Sequence, residues 1–389
     1  MRRSSDRILT THVGSLPRPP ELIEVMVAQD QGKAVDPAEY DEKLKRAVAG
    51  IVRKQVELGV DVVDDGEFSK RGFAVYVNER LGGYSWSDQA RPSPWAGSRE
   101  ARDFPEFYEK SVRTPTGKPT ASNVLLVCTG QVTYKGTELL QRDLANLKAA
   151  VEANNVVEAF VPAISPCDVA GNQKNEYYKT DEEFLYAIAD AMHEEYQAIV
   201  DAGFLLQIDD PRLINYYVKN PQLSVAECRA WAGKQVEAIN HALRGIPADR
   251  VRYHTCYGIN MGPRVHDMEM KDFIDIVLKI NADAYSFEAA NPRHEHEWHL
   301  WEDIKLPKGK IIIPGVITHS SLLVEHPELV AERLVRYAGV VGRENVIAGG
   351  DCGFGTQAMA TPEVHPSIVW AKFQSMVEGA KIASRKLWG

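Results

Sequence analysis

The stretch YHTCYG, from Tyr253 to Gly258, places His254 and Cys256 on either side of a single threonine. In a β-strand, residues i and i+2 point to the same face, so the imidazole and the thiol would converge on one point. An imidazole and a thiolate side by side are typical zinc ligands. The pair could instead line a buried strand without binding anything, so its spacing alone leaves both interpretations open.

Polar or metal-competent side chains also follow other strand-like runs of the chain. These residues are Ser15, Glu67, Asp209, Glu288, His319 and Cys352. A parallel barrel gathers its functional side chains at the carboxyl ends of its strands, so we expect these residues to converge. One imidazole, two thiolates and one carboxylate form a donor set that favours zinc over magnesium or calcium.

The candidate metal ligands are widely separated in sequence. His254 and Cys256 share one strand, whereas Glu288 and Cys352 follow two others. Structural zinc sites are typically built from short CxxC motifs and closed by four ligands, while catalytic sites keep an open position. The dispersion therefore favours a catalytic site. The alternative for Cys352, which lies between glycines, is a small residue in a tight turn.

Helices and strands alternate along the chain, and this framework must position the candidate residues. Capping boxes begin two helices, at Thr180 and Ser224, and these helices are predicted to end at Gly203 and Gly245. A short β-rich run follows each glycine. The alternation is typical of parallel βαβ units and predicts an α/β fold, a TIM-type (β/α)8 barrel in which residues 1–389 form a single domain.

Nine strand-like runs compete for the eight places of this barrel. They span 8–14, 60–65, 123–130, 157–164, 204–209, 250–256, 283–288, 310–316 and 346–351. Either 123–130 or 157–164 is therefore predicted to lie outside the barrel.

The segment 82–110 interrupts the alternation of helix and strand. It is rich in Gly, Pro, Ser and Trp, which predicts a long loop after the second strand. At that position it would form a lid or a wall of the substrate site. A flexible insertion without a role is the alternative.

The overall composition excludes several classes of function. A net charge of -9 and a pI near 5.7, without a basic stripe, argue against nucleic-acid binding. No apolar run is long enough for a membrane span and no export signal is evident, so a cytoplasmic protein is predicted. The five cysteines are an odd number without a pairing pattern, which favours metal binding or catalysis over disulfides.

Seven motifs occur in an order that is shared with a known family. They read TTHVGSLPRP, DVVDDGEF, QIDDP, HTCY, YSFE, PGVITHS and GGDCG. On these motifs, the sequence resembles the cobalamin-independent methionine synthase family over nearly its whole length, and in particular the family's catalytic C-terminal barrel. The wider superfamily also holds uroporphyrinogen decarboxylase and the zinc-dependent epoxyalkane:coenzyme M transferases. The motifs are specific together and weak singly.

The resemblance implies a zinc site formed by His254, Cys256, Glu288 and Cys352. A free thiol has a pKa of about 8.5 and is mostly protonated at neutral pH. Coordination to zinc would deprotonate a substrate thiol and leave it nucleophilic, so that it attacks an electrophilic carbon in line.

The resemblance also implies how an amino-acid thiol would be bound. Asp209 and Glu67 would engage its amino group, and the backbone around Ser15 would hold its carboxylate. His319 corresponds to the family's acid residue near the leaving group, where it would protonate the departing atom directly or through a water molecule.

The chain departs from the family pattern at several points. The family's IDEP motif reads IDDP here and is followed by Arg212, and the interval between Cys256 and Glu288 is longer. The resemblance covers the catalytic barrel and not the additional N-terminal barrel of full-length members, so it implies no route for polyglutamyl folate. Because of these departures, the sequence indicates the type of chemistry more clearly than the identity of the substrate.

Three arginines follow strand ends that carry candidate residues. Arg18, Arg71 and Arg212 have the chemistry to bind a carboxylate, sulfonate or phosphate. Arg18 and Arg212 are predicted to contact the substrate. Surface or salt-bridging roles are the alternative for all three.

A second group of histidines lies in the run HEHEWH. His294, His296 and His299 alternate with charged residues and lack a hydrophobic frame. This pattern predicts a solvated loop after Glu288 that closes over the site. A second metal site is the alternative.

The predicted function is the zinc-dependent transfer of a methyl or other alkyl group to a thiol, with homocysteine as the favoured acceptor. The donor is a methyltetrahydrofolate, a methylated corrinoid protein or a small electrophile, and the sequence is compatible with an oligomer. One alternative is an epoxide-opening transferase that uses a coenzyme M-like thiol. Two others are a metal-free lyase like uroporphyrinogen decarboxylase and a non-catalytic metal- or folate-binding module.

Overall fold

The structure, a computed structural model, describes residues 1–91, 93, 95–111, 124–360 and 362–389. The strands in these ranges are β1 (Leu9–Thr10), β2 (Val62–Val63), β3 (Leu81–Ala90), β4 (Val124–Tyr134), β5 (Glu158–Ile164), β6 (Lys174–Asn175), β7 (Leu205–Asp209), β8 (Val251–Thr255), β9 (Ala284–Phe287), β10 (Ile311–Ile317) and β11 (Ile347–Gly350).

Eight of these strands form a parallel sheet that curls into a nearly closed barrel, which confirms the predicted α/β barrel. Their order is β1-β11-β10-β9-β8-β7-β5-β2. At the seam between β1 and β2, the Asp61 N–H donates to the Thr10 carbonyl at 3.1 Å and the Thr11 hydroxyl donates to the Val62 carbonyl at 3.0 Å. The carboxyl ends of all eight strands therefore meet at one face.

A second, smaller sheet contains β3, β4 and β6. Strand β3 pairs antiparallel with β4, and β6 pairs parallel with β4. The run 157–164 supplies the barrel strand β5, which pairs with β2 and β7. The run 123–130, described from Val124 onward, therefore lies outside the barrel. We call the part of the chain that forms the second sheet, with strands β3, β4 and β6, the excursion. Both runs are apolar, so only the pairing partners distinguish them.

The segment 82–110 contains regular structure that its composition did not indicate. Its first part lies in β3, whose glycine-rich backbone is stabilised by pairing with β4. Its last part forms two short helices, which are α4 and α5 in chain order. Hydrogen bonds to β4, which is distant in sequence, stabilise β3. No local pattern in the sequence reveals these bonds.

The α-helices are α1 (Pro20–Asp30), α2 (Pro37–Leu58), α3 (Val77–Arg80), α4 (Arg99–Asp103), α5 (Pro105–Ser111), α6 (Thr137–Glu152), α7 (Pro166–Asn172), α8 (Asp181–Asp201), α9 (Arg212–Lys219), α10 (Val225–Ala242), α11 (Ile274–Val277), α12 (Leu300–Asp303), α13 (Pro327–Val341) and α14 (Pro366–Trp388). Short 3-10 helices span Ala248–Arg250, Met270–Asp272, Glu295–His299 and Arg343–Asn345.

The long helices surround the barrel and bury their apolar faces against it in one large core. The predicted caps are present. The Ser224 hydroxyl accepts from the Glu227 N–H at 3.3 Å while the Glu227 carboxylate accepts from the Ser224 N–H at 2.8 Å, and Thr180 caps α8. None of the helices in the described ranges is both long and apolar enough to cross a membrane.

Arg80, the last residue of α3, ties the second sheet to the helices around the barrel. Its guanidinium donates to Asp143 on α6 at 2.7 Å and to Glu195 on α8 at 3.2 Å. The hydroxyls of Tyr76 and Tyr134 donate to the same Glu195 carboxylate, each at 2.8 Å. Arg80 and both carboxylates are buried. The excursion is therefore anchored by a desolvated ion-pair network.

Replacing Arg80 with methionine should lower the free energy of unfolding by about 3–5 kcal/mol, because it leaves Asp143 and Glu195 buried without their cation. The measurement is urea unfolding at pH 7. Arg46→Met is the matched control, since Arg46 forms an exposed pair with Glu42 and should change stability by less than about 1 kcal/mol. Equal effects for both variants would contradict the anchoring role.

Candidate active site

His254, Cys256 and Cys352 form a compact group at the carboxyl ends of the strands. His254 lies on β8, Cys256 follows that strand and Cys352 follows β11. Their ligand atoms all lie within 4.8 Å of one another, and all three residues are buried. The two sulfur atoms are 3.2 Å apart. The folded barrel thus adds Cys352 to the pair that the strand spacing had suggested.

The imidazole of His254 is oriented by a neighbouring strand. Its Nδ1 is hydrogen-bonded to the Ser286 hydroxyl at 3.0 Å, and β8 pairs with β9 so that the two residues lie side by side. Its Nε2 is buried and has no hydrogen-bond partner among the described residues. Burial lowers the pKa of His254 to about 3. The ring is therefore neutral near pH 7 and has one nitrogen available for a metal.

The Cys256 thiol is kept protonated by its surroundings. The hydrogen bond with Cys352, then burial, then the nearby charge of Glu288 raise the pKa of Cys256 well above its usual range. A divalent cation beside the two sulfur atoms would reverse this preference, because it stabilises thiolates directly. Two thiols and one unpaired imidazole nitrogen in a buried cluster fit zinc.

Glu288, the predicted fourth ligand, is buried but does not belong to this group of ligand atoms. One carboxylate oxygen accepts from the Tyr257 N–H at 2.7 Å. The other accepts from Asn291 Nδ2 at 2.9 Å and pairs with Arg264 Nη1 at 2.9 Å. In this conformation the carboxylate accepts two hydrogen bonds and lies at ion-pair distance from Arg264, whose Nη1 and Nη2 have no hydrogen-bond partner among the described residues.

A pocket opens beside the metal-competent group and joins it to the predicted substrate-binding residues. Six predicted residues line this pocket, namely Ser15, Glu67, Asp209, His254, Cys256 and Cys352. The structure therefore brings together the two halves of the site, one rich in sulfur and the other rich in carboxylates.

Glu67 and Asp209 form the carboxylate wall of the pocket, and both are buried. Asp209 Oδ1 accepts from Gln207 Nε2 at 2.7 Å. Glu67 Oε1 is 3.5 Å from Lys70 Nζ, while Glu67 Oε2 has no hydrogen-bond partner in the described part of the chain. Burial, followed by the charge of Glu67, raises the pKa of Asp209 well above its usual range.

The buried carboxyl groups around this wall outnumber the buried cations. Asp64, Asp65, Glu67 and Asp209 interact with Arg18, Lys70 and Arg252. Lys70 is also engaged by the Pro162 carbonyl at 2.6 Å. A further positive group entering the pocket would therefore be stabilised, and it would favour the ionised form of Asp209.

The backbone that carries Glu67 adopts an uncommon conformation. Glu67 has a φ of +57°, in the left-handed region that side chains disfavour. Arg18 secures this turn by donating to the carbonyls of Glu67 at 2.7 Å and Lys70 at 2.8 Å. Gly14 allows close packing, because a Cβ there would lie 2.6 Å from Pro162 Cγ and 3.4 Å from Glu67 Oε1. Arg18 thus positions Glu67 and does not line the pocket.

The other two arginines lie away from the pocket. Arg212 lines a separate cavity between α7, α8 and α10, together with Cys167 and Trp231. Arg71 pairs with Glu79, which is exposed. The structure therefore does not bring Arg212 to the pocket wall where a substrate contact was predicted.

His319 follows β10 and is buried, but it is not among the residues that line the pocket. Neither of its ring nitrogens has a hydrogen-bond partner among the described residues. Burial lowers the pKa of His319 to about 4, although the charge of Asp351 opposes this change. The ring is neutral near pH 7, so it can donate one N–H and cannot carry a stored proton.

The expectation of a solvated histidine loop is wrong for His294. This residue is buried, and its ring lies between the carboxylates of Asp267 at 3.1 Å and Glu297 at 3.0 Å. It stacks on Tyr257 with ring centroids 4.0 Å apart. Burial alone would lower its pKa, but the two hydrogen-bonded carboxylates raise the pKa of His294 to about 9. The two other histidines of the run are exposed.

The end of the segment 82–110 packs beside the pocket. Trp95 Cζ2 lies 3.8 Å from the position that a Cβ on Gly258 would occupy, and Gly258 lines the pocket. The Tyr108 hydroxyl donates to Asn260 Oδ1 at 3.1 Å. These contacts bring part of the segment to the rim of the pocket, and its role as a lid or a wall of the substrate site stays a prediction.

Three residues at the site were not identified from the sequence. Ser286 precedes Glu288 by two positions on the same strand face, so alternation could have indicated it. Lys70 lies three residues after Glu67, a spacing that favours an ion pair in a turn. Arg264 had no local signal beyond its position in the long interval between Cys256 and Glu288.

The fold and the pocket define a class of protein, a parallel α/β barrel with a metal-competent His/Cys/Cys group at its catalytic face. The family model of the cobalamin-independent synthase catalytic domain matches residues 8–115 and 172–381. The chain therefore belongs to the cobalamin-independent methionine synthase family.

Individual relatives agree with this assignment over nearly the whole chain. The chain is 26% identical over 382 residues to a methionine synthase from Sulfolobus acidocaldarius, which covers 97% of the chain and 93% of that relative. It is 27% identical to one from Sulfurisphaera tokodaii, over 97% of the chain and 93% of that relative. A solved structure of a B12-independent methionine synthase from Shewanella sp. W3-18-1, in complex with selenomethionine, superposes with a TM-score of 0.74 at 18% identity and covers 98% of this chain and 99% of that one. This last likeness supports the fold.

Cys352→Ser should weaken zinc binding by at least about tenfold, because a hydroxyl is a much poorer zinc ligand than a thiolate. Zinc content after purification without added metal, and competition with a chelator, measure the effect. Cys228→Ser is the matched control, since Cys228 is a buried thiol within α10 and should keep the full zinc content. Retention of zinc by Cys352→Ser would exclude Cys352 as a ligand.

Proposed function

We propose that this protein catalyses the zinc-dependent transfer of a methyl group to the thiol of homocysteine, giving methionine. The observation that carries this proposal is one pocket with a buried His/Cys/Cys group on one side and two buried carboxylates on the other. Zinc held by His254, Cys256 and Cys352, with Glu288 as the candidate fourth ligand, would lower the pKa of an entering thiol so that the thiolate predominates near pH 7.

The carboxylate wall supports an acceptor that carries an amino group. Glu67 has an oxygen without a hydrogen-bond partner among the described residues, and the charge of Glu67 contributes to the raised pKa of Asp209. An ammonium group between them would relieve this repulsion. The two carboxylates would in turn offset the cost of burying its positive charge. Homocysteine presents an ammonium group at one end and a thiol at the other, which matches the two sides of the pocket.

Ser15 and its neighbours would orient the carboxylate of the acceptor. The Ser15 hydroxyl lies 3.2 Å from the Thr356 hydroxyl, and the Ser15 carbonyl accepts from the Phe354 N–H at 2.8 Å. A Cβ on Gly353 would lie 2.0 Å from Ser15 Oγ, so glycine at that position lets two chain segments meet. This contact holds the Ser15 turn beside Cys352.

In the transfer itself, a bond forms between the acceptor sulfur and the methyl carbon while the bond from that carbon to the donor breaks. His319, as a neutral imidazole, would donate a hydrogen bond to the departing atom or to a water molecule beside it, and the proton that the departing atom takes up would come from that water. The donor remains one of three chemical types, a methyltetrahydrofolate, a methylated corrinoid protein or a small electrophile.

The first experiment measures zinc content and X-ray absorption at the zinc edge, before and after addition of homocysteine. We expect about one zinc per chain and one additional sulfur neighbour when homocysteine binds. Coenzyme M, a thiol without an amino group, is the comparison. An additional sulfur with coenzyme M and none with homocysteine would favour the epoxide-opening transferase. Zinc that never gains a sulfur would indicate a binding module, and full activity without zinc would refute the proposal.

Glu67→Gln and Asp209→Asn should each weaken homocysteine binding by about tenfold or more, because each removes a charge that faces the ammonium group. Titration of the thiol-dependent change in the spectrum of the cobalt-substituted protein gives the dissociation constant. The control ligand is 4-sulfanylbutanoate, which is homocysteine without its amino group, and its affinity should change much less. Equal losses for both thiols would place the two carboxylates in a structural role.

A further inference from the structure

Three positively charged side chains gather around one buried carboxyl group next to the active-site pocket. Arg212 and Lys219 are the first and last residues of α9, and Arg91 follows β3. All three interact electrostatically with Asp168 on α7, which is buried. The Arg212 N–H also donates to Asp168 Oδ2 at 3.3 Å. We call Arg91, Arg212 and Lys219 the cation cluster.

The geometry of α9 brings two members of the cation cluster together. Arg212 and Lys219 lie about two helical turns apart on the same face. Side chains on a helix point toward its N-terminus, which brings the Lys219 ammonium closer to the Arg212 guanidinium. Burial, followed by the charge of Arg212, lowers the pKa of Lys219 to about 8. Two like charges held together in a partly buried setting lack a counter-ion.

The chain supplies little negative charge to the cation cluster. Nε and Nη2 of Arg91 are buried without a hydrogen-bond partner, and the side chains of Arg212 and Lys219 form neither a hydrogen bond nor an ion pair within the described ranges. Burial raises the pKa of Asp168, which makes it a weak counter-ion, and Asp181 lines the cavity of Arg212 but is exposed. The residues outside the described ranges include no aspartate or glutamate. An oxyanion from outside the chain would therefore complete the neutralisation.

The position of the cation cluster relates it to the active site. Pro211, directly before α9, lines the pocket. Lys219 Nζ lies 5.4 Å from the centroid of the Trp95 ring, and Trp95 packs beside Gly258 at the pocket. Lys219 also interacts electrostatically with the Cys256 thiol. An anion held by the cluster would therefore lie near the rim of the pocket.

There is room for an oxyanion beside Arg212. Its guanidinium lines a cavity of about 310 Å³. Gly171 permits this position, because a Cβ there would lie 1.8 Å from Arg212 Cζ. Guanidinium and ammonium groups bind carboxylates and phosphates through charge-assisted hydrogen bonds. The cation cluster thus combines positive charge, unpaired donors and space.

The acceptor has no group left for the cation cluster. In the proposed function, homocysteine places its thiol at the metal, its ammonium group between Glu67 and Asp209, and its carboxylate at Ser15. A further anion therefore belongs to the other reactant, the methyl donor.

We propose that the cation cluster is an anion subsite that holds a carboxylate or phosphate group of the methyl donor. This inference rests on the proposed function and deepens it, because it restricts the donor to a molecule with an oxyanion. A methyltetrahydrofolate carries glutamyl carboxylates and a corrinoid with a nucleotide carries a phosphodiester, whereas a small neutral electrophile carries neither.

The first test measures the binding of inorganic phosphate to the zinc-free protein by calorimetry, because zinc would itself bind phosphate. The wild type should bind phosphate, and Lys219→Met, Arg91→Met and Arg212→Met should each weaken this binding by about tenfold or more. Lys219→Arg retains the charge and should resemble the wild type. Lys234→Met is the matched control, since Lys234 is an exposed residue of α10, and it should change the affinity by less than about twofold.

Stability separates an anion subsite from a structural role. A buried cation without an ion-pair partner costs free energy, so Lys219→Met should leave the free energy of unfolding unchanged or raise it in phosphate-free buffer. Added phosphate should stabilise the wild type and not the variant. A loss of stability like that expected for Arg80→Met would place Lys219 in a structural network and overturn the proposal.

The second test identifies the reactant that carries the anion. Methyl transfer to homocysteine is measured with 5-methyltetrahydrofolate, methylcobalamin and iodomethane. In Lys219→Met, the KM of the anionic donor should rise by about tenfold or more, whereas the KM of homocysteine should change by less than about threefold. Phosphate should compete with the anionic donor and not with homocysteine.

Donors that lack the oxyanion distinguish its two sources. The diamide of 5-methyltetrahydrofolate has no glutamyl carboxylates, and methylcobinamide has no nucleotide phosphate. In the wild type, the form of the donor without its oxyanion should show the same rise in KM as the variant, and Lys219→Met should add no further loss.

The outcomes separate this inference from the proposed function. No phosphate binding by the wild type, or equal binding by the wild type and the three cluster variants, overturns the subsite. If the wild type uses only iodomethane, or if Lys219→Met leaves the KM of an anionic donor unchanged, the cluster does not bind the donor and the transferase proposal stands. If the wild type binds no zinc and transfers no methyl group, the proposed function and the assignment to a donor fail, whereas the phosphate measurement still decides on the anion subsite.

Discussion

The site depends on the enforced proximity of two buried thiols. Cys256 and Cys352 hold their sulfur atoms 3.2 Å apart, beside a His254 nitrogen that has no partner among the described residues. In the absence of a cation, this environment keeps Cys256 protonated. A divalent cation changes the balance, because the same low dielectric strengthens its attraction to thiolates. The barrel makes this arrangement possible by bringing the ends of β8 and β11 to one face.

The pocket separates charge along its length. Its carboxylate side has more buried carboxyl groups than buried cations, whereas both imidazoles near the sulfur side are neutral at pH 7. An acceptor with an ammonium group and a thiol would therefore enter in one orientation. The same separation keeps the ammonium away from the metal, where two positive charges would repel each other. The orientation of such an acceptor would thus follow from electrostatics, and contacts around Ser15 would add to it.

Parts of the chain outside the barrel are held by buried ion pairs. Arg80 joins the second sheet to α6 and α8, and Arg264 joins the segment between β8 and the 3-10 helix Met270–Asp272 to Glu288. Each pair is costly to break because an unpaired charge would stay buried. An ionic contact requires a particular distance and direction, which an apolar contact does not. These contacts therefore define how the second sheet and the segment after β8 lie relative to the active site. In both cases an arginine serves two carboxylates at once.

The amino-acid sequence by itself determined the alternation of helix and strand, the capped starts of α8 and α10, and the residue types at the strand ends. Local periodicity and capping depend on neighbours a few positions away, so these features could be predicted. The pairing of β3 with β4, the exclusion of β4 from the barrel and the burial of His294 depend on partners far away in the chain. Only the tertiary structure decided that Arg18 supports the turn of Glu67, that Arg212 lies in another cavity, and that Glu288 pairs with Arg264. The reason is physical, because a charged side chain takes its role from the partner that desolvation forces on it, and that partner is defined only when the barrel has closed.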